Sequence, residues 1–141
     1  MKFWDSSAIL PLLVAEPQSR RMIEIYRKDA VMLAWWATEV ECASAVARLE
    51  RAAQMDSDAM AAVTKRLAEL KRQWQEIQPV EAVRHQATRL LRIHPLRAAD
   101  ALQLAAAIIA CGNRTADLDF VCLDVRLSAA AQREGFNVIA A

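Results

Sequence analysis

The sequence predicts an α/β fold of three layers, a central and mainly parallel sheet with helices on both faces. Three observations predict it. Residues 2–4, 30–34, 119–124 and 137–139 are short apolar segments of strand length. Between them lie longer segments whose apolar residues recur at spacings of three and four, the mark of helices packed along one face. Strands alternating with helices are joined by crossovers, which makes neighbouring strands parallel. At 141 residues the chain is expected to form a single domain over 1–141, large enough to bury a core without disulfides or a structural metal.

Residues 2–4 run into Asp5-Ser6-Ser7, where a strand would turn into a helix whose first amides need oxygen acceptors. Residues 17–28 read as an amphipathic helix with Met22, Ile25 and Tyr26 inward, followed by the strand-like Ala30–Ala34. A helix beginning near Thr38 carries Cys42, Val46, Leu49 and Ala53 on one face. The next carries Met60, Val63, Leu67, Leu70, Trp74 and Ile77, so the two can pair as a helical hairpin. Helices at 80–93 and 97–111 are separated by His94-Pro95, and the second, apolar nearly all round, is expected to be central. Residues 119–124 form a short strand ending in an acid, before a helix at 125–134 and a last strand at 137–139. Gly112 and Gly135 stand near helix ends.

Composition narrows the classes. A hydrophobic fraction of 55% with two glycines and four prolines argues for a helix-rich globule, against disorder and against a turn-rich all-β fold. The net charge of +1 neither requires nor forbids nucleic acid, since a basic surface coexists readily with an acidic cleft. Cys42, Cys111 and Cys122 show no metal-type spacing, and reduced thiols in a cytoplasm are expected. The longest apolar run, Leu104 to Cys111, is too short to span a bilayer, so no membrane partner is expected. His85 and His94 lie in no metal or base motif and are expected at the surface or a boundary. Trp4, Trp35, Trp36 and Trp74 are expected in the core.

Four acids stand where parallel sheets place their ligands, at strand-to-helix junctions. Asp5 and Asp124 each end an apolar strand, Glu41 lies in the first turn of the helix after the second strand, and Asp100 lies in the first turn of the apolar helix. Clustered carboxylates repel one another and are stable mainly around a divalent cation. Oxygen ligands select Mg2+ or Mn2+, ions that activate a phosphodiester toward water. Each acid also has a plain alternative as a helix cap or dipole partner, and Thr38 to Glu41 matches the S/T-x-x-E capping box. Glu39 competes with Glu41, and Asp117 and Asp119 lie near Asp124. Arg48, Arg51, Lys65, Arg66, Lys71 and Arg72 fall on the hairpin, and Arg97 sits beside Asp100. Arginine is suited to phosphate because its planar fork binds two oxygens.

Four segments, Phe3-Trp4-Asp5-Ser6-Ser7-Ala8, Glu41 to Arg48, Leu96 to Ala105 and Phe120 to Leu127, resemble in order and spacing the blocks of PIN-domain ribonucleases of the VapC type. The resemblance spans essentially the whole chain and implies a PIN-like three-layer fold with Asp5, Glu41, Asp100 and Asp124 as catalytic metal ligands for Mg2+ or Mn2+. It implies Ser7 as a supporting or phosphate-contacting hydroxyl, with Arg97 the arginine to test first for RNA contact. It further implies the toxin of a toxin–antitoxin pair, with an RNA substrate, a cognate antitoxin covering the acidic cleft, and a homodimer. Cys122 departs from the pattern, which commonly has Thr or Ser two residues before the last acid. The rival readings are a housekeeping RNA-processing nuclease and a non-catalytic binding module of the same fold. A phosphotransferase with Asp5 as nucleophile is disfavoured because Ser7 occupies the third position of the D-x-D pattern.

Overall fold

The computed structural model describes residues 1–140. In chain order the elements are β1 (Lys2–Trp4), α1 (Ser6–Leu13), α2 (Ser19–Lys28), β2 (Met32–Trp35), α3 (Thr38–Arg51), α4 (Ser57–Gln73), β3 (Gln75–Ile77), α5 (Glu81–Ile93), α6 (Ala98–Ala110), a 3-10 turn at Thr115–Asp117, β4 (Asp119–Val121), α7 (Val125–Arg133) and β5 (Asn137–Ile139). The strands form one sheet in the order β3-β2-β1-β4-β5, every pair parallel.

Side chains alternate across a strand, so each strand feeds both faces of the sheet. Phe3, Leu33, Trp35 and Phe120 pack under α5, α6 and α7. Their neighbours Trp4, Met32, Ala34 and Val121 pack under α1 to α4. These two cores make the expected three layers. Helix α6 is the most buried, with Ala101 and Leu104 to Ala107 excluded from solvent, because alanine lets α5 and the sheet approach it closely. Phe3 stacks on Phe120 across the β1–β4 pair, with ring centroids 5.3 Å apart.

The structure corrects several expectations. The apolar stripe from Met60 to Ile77 is not one helix: α4 stops at Gln73, Trp74 is extended (φ −79°, ψ 155°), and residues 75–77 form the edge strand β3. Leu33, Ala34 and Trp35 pair with Gln75, Glu76 and Ile77. A three-residue strand following a helix can prolong the three-and-four spacing by coincidence. Trp74 and Ile77 nevertheless join opposite cores, which residues of one helical stripe cannot do. Ala53 lies past the end of α3 with φ +57°, so it is not part of that helix face. His94 is buried and faces Glu134, with Nε2 3.6 Å from Oε2, whereas His85 is exposed. Trp36, 49% exposed, is the one tryptophan outside the core. The fourth strand ends at Val121, three residues before Asp124.

Candidate active site

The chain lays β1, β2 and β3 toward one edge of the sheet and then returns to place β4 and β5 on the other side of β1. Such a reversal leaves a crevice at the carboxyl ends of the two strands that flank it. Asp5 follows β1 directly, and Asp124 begins α7 after β4.

Asp5 is 3% exposed. Its N–H donates to the Val121 carbonyl at 3.0 Å, continuing the β1–β4 ladder, and its carboxylate caps α1 by accepting from the Ser7 N–H at 3.1 Å. The same oxygen, Oδ2, accepts from the Ser7 hydroxyl and from the Cys122 thiol, the latter at 3.5 Å. The Ser7 hydroxyl also accepts from the Leu123 N–H at 2.9 Å. Ser7 therefore ties Asp5 to the loop after β4. Burial and the charge of Asp5 push the Cys122 thiol up to about 12, so it remains a protonated donor at neutral pH.

Glu41 lies in the first turn of α3. The capping-box alternative does not hold there: the helix cap is Ala37, with no side-chain bond, and the Thr38 hydroxyl instead accepts from Gln103 Nε2 at 2.9 Å. That amide also donates to Glu41 Oε2 at 2.6 Å. Gln103, 1% exposed, went unrecognised in the sequence. The available signal was a lone polar residue in an apolar helix, three positions after Asp100 and so on the same face. Glu39 is engaged elsewhere, pairing with Lys71 of α4 at 2.5 Å.

Asp100 occupies the first turn of α6, whose cap is Arg97. Asp124 caps α7, accepting from the Leu127 N–H at 2.8 Å. For Asp5 and Asp124 the capping reading is thus correct, and both acids also line the cleft. The cleft, about 630 Å³, brings Asp5, Glu41, Asp100 and Asp124 together with Ser7, Arg48 and Arg97. Asp117 and Asp119 do not reach it. Asp117 pairs with Arg114, and Asp119 starts β4, where it accepts from Asn137 and faces Lys2.

The acids influence one another. Burial raises the Asp5 pKa, hydrogen bonds from Ser7 and Cys122 oppose the rise, and the charge of Asp124 adds to it. Burial raises Glu41 too, against bonds from Gln103 and Ser6 and with repulsion from Asp5 and Asp100. Asp100 is raised by burial and by Asp124 and Asp5, with Arg97 opposing. An all-oxygen donor set of mutually repelling carboxylates has the chemistry of a hard divalent cation site. Among the described residues no three acidic, histidine or cysteine side chains form a ready-made ligand cluster. The acids stand instead round an open cleft, where Asp5, Glu41, Asp100 and Asp124 are the residues that would hold such a cation.

No family model matches the sequence, and no curated protein matches it. Solved structures do share its fold. FitAcB from Neisseria gonorrhoeae superposes with a TM-score of 0.69 at 17% identity, over 99% of this chain and 96% of that one. PAE2754 from Pyrobaculum aerophilum gives 0.63 at 19% identity, over 99% and 87%. FitAB bound to an IR36 DNA fragment gives 0.68 at 15% identity, over 99% and 94%. These likenesses show the fold, which is that of PIN domains. No helix among the described residues is long and apolar enough to cross a membrane.

Proposed function

We propose that this chain is a magnesium- or manganese-dependent endoribonuclease, and that it serves as the toxin of a type II toxin–antitoxin pair. One observation carries the nuclease reading: four acids contributed by four separate helix starts converge on a single cleft at the carboxyl ends of the strands. The toxin role, the antitoxin that would cover the cleft, and the homodimer rest on the VapC-like sequence blocks together with the PIN fold.

In this reading Asp5, Glu41, Asp100 and Asp124 would hold the metal, which would supply Lewis-acid polarisation of the phosphodiester. The protein's own contribution is placement. Ser7 and Cys122 lock Asp5, Gln103 aims Glu41, and the Leu127 N–H fixes Asp124. Arg97, exposed at the rim beside Asp100, offers a fork to the phosphate of the RNA. No side chain acts as nucleophile, and the 2′-hydroxyl is not required.

The test is cleavage of RNA by purified wild type, Asp5→Asn and Asp100→Asn with Mg2+ or Mn2+ and with chelator. Asparagine still caps a helix, so Asp5→Asn is expected to stay folded and lose cleavage, as is Asp100→Asn. Undiminished cleavage by both variants, or a wild type inert with either metal, refutes the mechanism. Cleavage without growth arrest on induced expression retains the nuclease and removes the toxin role.

A further inference from the structure

The acid cleft does not end at Arg97. A second recess of about 360 Å³ continues from it, lined by Pro95, Arg97, Val125 and Arg126 and sharing Asp100 and Asp124 with the first. Arg126 lies in the first turn of α7, two residues after the cap Asp124. A cation there meets the positive end of its own helix, which disfavours it. Neither Arg97 nor Arg126 enters an ion pair among the described residues, and what sets them apart from the other unpaired arginines is that they line one recess joined to the acids. Both are exposed, and Val125, next to Arg126 in the chain and lining the same recess, is left 82% exposed. Arg97 acts on Asp100 through its charge, but no ion pair of the fold uses the charge of Arg126, and nothing covers the apolar side chain beside it.

A polyanion approaching four carboxylates is repelled by them. The strand must be gripped by cations beyond the acids, and a recess lined by two guanidiniums and by the apolar Val125 and Pro95 suits one further nucleotide: a guanidinium takes the phosphate and the apolar side chains meet the sugar or base. We infer that the recess between Arg97 and Arg126 is a subsite for the nucleotide next to the scissile phosphate of a single-stranded RNA, with Arg126 binding its backbone phosphate. This subsite rests on the nuclease reading above.

The test uses the intact chain carrying Asp5→Asn, so that RNA is bound and not cut, with Arg126→Gln, Arg126→Lys and, as control, Arg133→Gln from the exposed last turn of the same helix. Binding of a fluorescent single-stranded RNA is measured across salt concentrations. Arg126→Gln is expected to weaken binding about tenfold at low salt, as loss of a charged hydrogen bond would, and to flatten the log affinity against log salt slope by about 0.7, the value of one phosphate on a single strand. Arg126→Lys keeps the slope because it keeps the charge, and Arg133→Gln changes neither quantity. In the cleaving protein with Asp5 intact, Arg126→Gln raises KM and leaves kcat near that of wild type. An unchanged slope with Arg126→Gln, or an equal loss with Arg133→Gln, overturns the subsite. If wild type cleaves RNA and Arg126→Gln matches it in KM and slope, the subsite fails alone. If wild type neither binds nor cleaves RNA, the nuclease reading fails with it.

Discussion

Replacing Gln103 with leucine tests the contact on which the placement of Glu41 depends. Gln103 is 1% exposed and donates through one amide nitrogen to the Thr38 hydroxyl and the Glu41 carboxylate. A neutral hydrogen bond contributes about 1 kcal/mol and one to a charged acceptor about 1.5–3 kcal/mol. Against that loss, Gln103 Oε1 is buried with no hydrogen-bond partner, and its removal returns about 1–2 kcal/mol. Leucine nearly conserves the volume, so no cavity term enters. The balance is a destabilisation of about 1–2 kcal/mol, on the order of 3–7 °C in Tm for a chain of this size. The functional loss should exceed the structural one, because Glu41 is then free to turn from the cleft. Scanning calorimetry of both proteins, with and without Mg2+, should show a smaller magnesium-induced rise in Tm for Gln103→Leu, alongside slower RNA cleavage. Gln103→Glu should be worse at neutral pH, where it opposes Glu41, and should recover as pH falls. A Gln103→Leu protein with unchanged Tm, the full magnesium response and full cleavage would show that Gln103 does not hold Glu41 in place.

The raised pKa values of Asp5, Glu41 and Asp100 mean that the folded chain holds their protons more tightly than the unfolded one. In chelator, stability should therefore fall as pH rises above the ordinary carboxylate values of 3.8 and 4.5, and Mg2+ should restore it; below 3.8 Asp29, lowered to about 2 by the N-terminus and Lys2, acts the other way, so the check is the Tm above that pH, where a rise in chelator contradicts the prediction. Gly135 sits at φ +98° with an added Cβ 2.6 Å from Thr115 Oγ1, the hydroxyl that donates to the Glu134 carbonyl. Gly135→Ala should cost about 1–3 kcal/mol in urea denaturation, with cleavage kept under folding conditions. At Cys122, serine should preserve or improve cleavage by giving Asp5 a stronger donor, while alanine should lower it several-fold; the reverse order in a cleavage assay would show that the thiol does not position Asp5.

Much of this arrangement is carried by local patterning. The alternation of apolar strands with three-and-four helices is visible along the chain, because each element writes its own period into its own residues. The positions of Asp5, Glu41, Asp100 and Asp124 at helix starts are visible for the same reason. The short edge strand β3 is not, since three residues following a helix carry too few positions to break the helical spacing. His94 is similar: its burial depends on α7 and Glu134, 40 positions away in the sequence.

Local patterning alone specifies the layered α/β class, the helix starts and the identity of the acids placed on them. That those acids meet is settled by the packed fold, because their meeting depends on the order β3-β2-β1-β4-β5, which is chosen by pairing between distant segments. The same long-range packing set Gln103 beside Glu41 and Lys71 beside Glu39, and brought Ser7 and Cys122 together on one oxygen of Asp5. Side-chain chemistry is written residue by residue, while convergence is a property of the packed sheet.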